Sequence, residues 1–121
     1  MRARGRRVGF AVMALAALAA GAARADAPAP GRYAGRLCVA VGAAPADCGP
    51  ARIDVLGARR LNVRIADLVW RLRLKSSQVD VVLMHGTMQI DGFFAPFEWD
   101  GRTLNFLDLE KRTHYAVEIG R

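Results

Sequence analysis

The chain has 121 residues, with 18 Lys and Arg against 11 Asp and Glu and a formal net charge of +7. Arg2, Arg4, Arg6, Arg7 and Arg24 all fall in the first 25 residues, and the rest carries 13 basic against 11 acidic side chains, or +2. The basis for a nucleic-acid partner disappears with that subtraction, and the remaining length of about 96 residues accommodates a single domain.

Arg2 to Arg7 precede an apolar run from Val8 to Ala20, which leads to Ala23-Arg24-Ala25. Positive charge, an apolar stretch too short to span a bilayer and an A-x-A ending together read as a secretory signal peptide over residues 1–25. A signal helix cleaved near Ala25 and a periplasmic or secreted mature chain are expected. Arg6-Arg7 matches a twin-arginine signal only loosely, so the general export route is expected, and no cysteine follows closely enough to carry a lipid. Residues 26–31, rich in Ala and Pro, read as a flexible linker before one domain over 32–121.

Cys38 and Cys48 are the two cysteines. An even count in a small exported domain reads as one disulfide, and the Gly, Ala, Pro and Asp between them form a turn that can bring the two together. A metal or redox role would want a C-x-x-C pair or neighbouring histidines, which the chain lacks.

From Tyr33 onward apolar residues alternate: Leu37-Val39-Val41, Ile53-Val55, Leu61-Val63-Ile65, Trp70-Leu72-Leu74, Val79-Val81-Leu83, Met88-Ile90, Leu104-Phe106 and Tyr115-Val117-Ile119. Period two in segment after segment is the mark of half-buried antiparallel strands. Turn formers separate them at Gly57-Ala58, Ser76-Ser77, His85-Gly86, Asp100-Gly101 and Lys111-Arg112. Asp100-Gly101 is expected to form a type I′ hairpin turn. The parity flip between Ile65 and Trp70 demands a bulge or turn near Ala66-Asp67-Leu68, and a second break at Leu107 and Leu109 suggests another bulge or a strand buried on both faces. The expectation is an all-β fold: an antiparallel meander of about eight strands, closed or nearly closed as a barrel, with a β-sandwich as second choice. An interior of that size is filled by its own side chains.

Phe93, Phe94, Phe97 and Trp99 are four aromatics in seven residues around Pro96. They are a candidate binding patch, although neighbouring aromatics on a strand point to opposite sides, and burial as core is the heavier reading. Charge is uneven as well: residues 26–79 total +5 and residues 80–121 total −3. Arg60 and Arg64 alternate with apolar residues, as do Arg71, Arg73 and Lys75, so two adjacent strands would share a cationic outer face. Such a face could meet lipid phosphates, lipopolysaccharide or an acidic protein, or simply keep the sheet solvated. Asp80, Asp91, Glu98, Asp100, Asp108 and Glu110 fall mostly at outward or turn positions, a poor arrangement for an acid and base pair. His85 and His114 show no zinc spacing, no nucleophile motif surrounds Ser76 or Ser77, and no pattern for a cofactor is present.

Gly31-Arg32-Tyr33 opening a β-meander is similar to the start of lipocalin-like chains, and small exported barrels also include bacterial lysozyme inhibitors. That likeness covers three residues and an architecture, implies a miniature lipocalin-like barrel, and carries no functional residue across. The functional expectation is a non-enzymatic binding or inhibitor module acting on an unidentified envelope protein or component. The alternatives are a carrier of a small apolar ligand and an envelope assembly factor.

Overall fold

The computed structural model describes residues 27–121, so the expected signal peptide lies outside the described residues. Eight strands follow in order: β1 (Gly31–Val41), β2 (Asp47–Gly57), β3 (Arg60–Ile65), β4 (Leu68–Leu74), β5 (Gln78–His85), β6 (Met88–Asp100), β7 (Thr103–Asp108) and β8 (Thr113–Ile119). Each pairs antiparallel with the next and β8 returns to β1, giving a closed up-and-down barrel. Among the described residues no helix is long and apolar enough to cross a membrane.

Alternation decides which side chains enter the barrel. Ile53, Leu61, Val63, Val79, Val81, Leu104 and Val117 are fully buried along the axis, and Leu37, Leu72, Leu74 and Ile119 are nearly so. Burying each of these side chains is worth about 1.5–3 kcal/mol, which is where a domain of this size finds its stability. Cys38 and Cys48 stand directly opposite each other in the β1–β2 ladder, with an S–S distance of 2.08 Å. Closing a loop of sequence separation 10 contributes about 2–3 kcal/mol in the chain-entropy picture. Such a bonded pair is consistent with an oxidising, exported compartment.

Where local patterns are ambiguous the structure decides. The flip between Ile65 and Trp70 is the two-residue turn Ala66-Asp67, flanked by the pair Ile65 and Leu68. Ala66 carries a positive φ of 52° there. The hairpin after β6 turns on Gly101-Arg102 rather than Asp100-Gly101: Asp100 pairs with Thr103, and of the two expected turn residues Gly101 alone has positive φ, at 63°. No bulge interrupts β7; Leu107 faces outward, Leu109 lies in the turn, and Asp108 is the residue that points inward, at 2% exposure. Its Oδ1 accepts from the Glu110 and Lys111 amides, which is why a carboxylate occupies an apolar position. The irregularities lie elsewhere, in β2 between Val55 and Gly57 and in the β5–β6 ladder at Leu83 and Met84.

β6 is a single 13-residue strand that changes partner: residues 88–96 pair with β5, and only Phe97–Asp100 pair with β7. Pro96 explains the stop. The Gln78 carbonyl accepts from Lys75 N at 2.8 Å, so the main-chain groups of Gln78 point to β4. Its partner Pro96 therefore faces the β7 side, where it has no N–H to give. Further back along the strand, the Gly92 N–H is taken by Asp91 Oδ1 at 2.8 Å, leaving the Phe94 N–H between them. The open edge is thus blunted at Gly92 and Pro96, on either side of Phe94.

Side chains close this gap. Phe93, Phe106 and Tyr115 stack with centroids 4.8–6.4 Å apart, and Lys111 Nζ bridges to Asp91 Oδ2 at 2.5 Å. The hydrogen bond from Lys111 holds the Asp91 carboxyl below its ordinary range and raises the Lys111 ammonium in turn. Burial, with the Asp108 charge adding to it, pushes the Tyr115 phenol up.

At the end of the barrel holding the β6–β7 turn, Arg102 ties the chain ends together. Its guanidinium lies 5.4 Å from the Tyr33 ring centroid and donates to the carbonyls of Ile119 and Gly120. Tyr33 O–H in turn donates to the Ala29 carbonyl at 2.6 Å, and Ala27 packs against the core.

Candidate anion-binding face

Alternation that sends Leu61, Val63, Leu72 and Leu74 inward sends their neighbours outward, and pairing sets those neighbours side by side. In the β3–β4 register Arg60 stands opposite Arg73, Asn62 opposite Arg71 and Arg64 opposite Val69. The row through Arg60 and Arg73 continues to Asp80 on β5 and Phe94 on β6; the next runs from Asn62 and Arg71 to Val82 and Gly92. Facing residues in such pairs have Cβ atoms about 5 Å apart.

The arginines of this side divide into two groups. Asp54 on β2, only 9% exposed, accepts from Arg64 Nε at 2.7 Å and lies 3.7 Å from Arg52 Nε, so one carboxylate serves two guanidiniums. Arg60, Arg71 and Arg73 form no ion pair among the described residues, although Asp80 neighbours Arg73 in register. They line a groove of about 760 Å³ with Asn62, Asp80 and Gln89. Val82 and Met84 from β5 line it too. At its β6 side the Gln89 side chain packs over Gly92, where an added Cβ would come within 3.0 Å of the Gln89 amide nitrogen.

Of the cationic residues read from sequence, the structure therefore gathers Arg60, Arg71 and Arg73, while Arg64 is neutralised by Asp54. Lys75 lies beyond the groove, with its ammonium 5.8 Å from the Phe94 ring centroid. It also lines a second depression of about 410 Å³ at the barrel mouth, with Arg59, Leu74, Phe97 and Trp99. The four aromatics divide between two faces: Phe93, Phe97 and Trp99 are half-buried against the core, and Phe94 is 61% exposed. They do not form one patch.

Sequence reading did not single out Asn62 and Gln89, which have no charge to mark them, or Arg59 in the β2–β3 turn, whose signal was its adjacency to Arg60. Among the described residues no group of three or more His, Cys, Asp or Glu is arranged to hold a metal ion. Compared with protein families, with curated proteins and with solved structures, the chain matches none.

Proposed function

We propose that this chain is an exported, non-enzymatic binding module of the periplasm or extracellular space, which engages an anionic envelope component through the outer face of β3 and β4. The observation carrying this reading is the Arg60 and Arg73 pair, two like charges set opposite each other with Arg71 beside them and no ion pair among the described residues. Like charges directly opposite on a sheet weaken it, and local choices that work against folding are where function is sought. A bound anion would reverse the sign of that interaction. Against the alternative of an apolar carrier stands the axis of the barrel, filled by fully buried Ile53, Leu61, Val63, Val79 and Val81.

The test is calorimetric titration of the oxidised protein with polyphosphate at low and high salt, beside the triple variant Arg60→Ser, Arg71→Ser, Arg73→Ser. Expected are binding that weakens as salt rises and a loss of at least about tenfold in the variant, roughly 1.4 kcal/mol. The variant should melt no lower than the parent, because removing the repulsion offsets the lost side chains. Undiminished binding by the variant would overturn the proposal, as would no binding by the parent.

A further inference from the structure

Resting on that reading, we infer that the groove across β3, β4, β5 and the start of β6 takes a phosphorylated saccharide: a phosphate seated among Arg60, Arg71 and Arg73, with the sugar lying toward Thr87 and Gln89.

Shape is the first argument. The groove is concave and about 760 Å³, within the range of small-ligand sites. A flat bilayer reaches the guanidinium tips but has no use for a recess behind them, whereas a compact ligand fills it.

Chemistry is the second. Guanidinium groups present planar forks of donors that match phosphate oxygens, and here three converge against the single carboxylate of Asp80. Asn62 stands opposite Arg71 among the cations; away from them, at the β5–β6 end, the lining changes to Thr87 and Gln89, each able both to donate and to accept, as sugar hydroxyls require. Gln89 lies against the backbone at Gly92, the space a Cβ there would claim. Asp80 adds an acceptor for a hydroxyl while repelling a second phosphate. Val82 and Met84 offer apolar contact for the C–H face of a ring. Charge at one side and neutral hydrogen-bonding groups with an apolar surface at the other correspond to an anion attached to a hydroxyl-rich body.

The experiment titrates the oxidised protein with four probes: a hexose 1-phosphate, inorganic phosphate, the unphosphorylated hexose, and vesicles of phosphatidylglycerol in phosphatidylcholine. The hexose phosphate is expected to bind at least about tenfold more tightly than inorganic phosphate, with no measurable binding of hexose or vesicles. The double variant Thr87→Ala, Gln89→Ala should bring the hexose phosphate down to the level of inorganic phosphate and leave phosphate itself unchanged. Arg71→Ser with Arg73→Ser should weaken both. Equal affinity for the two phosphates, or an advantage that survives in the Thr87 and Gln89 double variant, would overturn the saccharide assignment and leave the anion-binding reading standing. Binding of vesicles alone would also overturn it, in favour of a membrane surface. Binding of none of the charged probes, with polyphosphate also unbound, would remove both.

Discussion

The barrel is closed in two unlike ways. Between β1 and β8 the ladder runs for seven residue pairs, from Gly35 and Ile119 to Val41 and Thr113, and the disulfide ties β1 to β2 alongside it. Between β6 and β7 it runs for four, and beyond Pro96 the seam is held by an aromatic stack and one ion pair. The first closure depends on close backbone approach, the second on side-chain contact. A lesion in the first should therefore be felt throughout the barrel, and one in the second mainly nearby.

Gly35→Ala attacks the backbone closure and carries the largest expected effect. A methyl at this position would collide with Ile53 and with the Glu118 carbonyl oxygen, and the backbone oxygen cannot yield without parting β8 from β1. A loss of about 3 kcal/mol is expected, at the upper end of overpacking costs, read as a lower denaturation midpoint with faster amide exchange in every strand. Phe93→Ala attacks the side-chain closure. A loss of about 2 kcal/mol is expected, below that of a fully buried phenylalanine because Phe93 is half-buried, with faster exchange confined to residues 88–96 and the β7–β8 turn. Uniform acceleration in this variant would erase the distinction between the seams.

The smallest effect belongs to Asp91→Asn and sharpens the comparison through pH. The folded chain holds the Asp91 carboxyl below its ordinary value of about 4, so the pair with Lys111 contributes fully above that pH and is lost as pH falls through the lowered value. The parent should therefore lose some stability in that acid window that the variant does not, measured as the difference between their melting curves across it. Parallel acid profiles would show that the pair adds nothing to the seam.

Strand content and the inward set were legible because alternation is a local property: Leu61, Val63, Leu72 and Leu74 declare their side of the strand by parity alone. Asp108 was not legible, since a carboxylate at an inward position breaks the pattern and is explained only by the two amides it caps in the next turn. The reach of β6 was hidden for the opposite reason. Pro96 looks like a strand breaker until the register shows that its missing N–H points into the gap. At the candidate site, the neighbourhood of β3 and β4 followed from adjacency, but the division of the arginines did not. Asp54 lies on the far side of a hairpin from Arg64, and charge counts along a strand cannot say which cation it will claim.

The clamp made by Arg102 has a practical side. It fastens the start of β1 and the end of β8 to the β6–β7 turn, so the described residues enter and leave the barrel on the side where Phe97 and Trp99 form the mouth. An affinity tag or fluorescent protein fused directly before Ala27 or after Arg121 would crowd that mouth. The loops after β1, β3, β5 and β7 lie at the other end, and anchoring the protein through one of them would present the mouth unobstructed to whatever it meets.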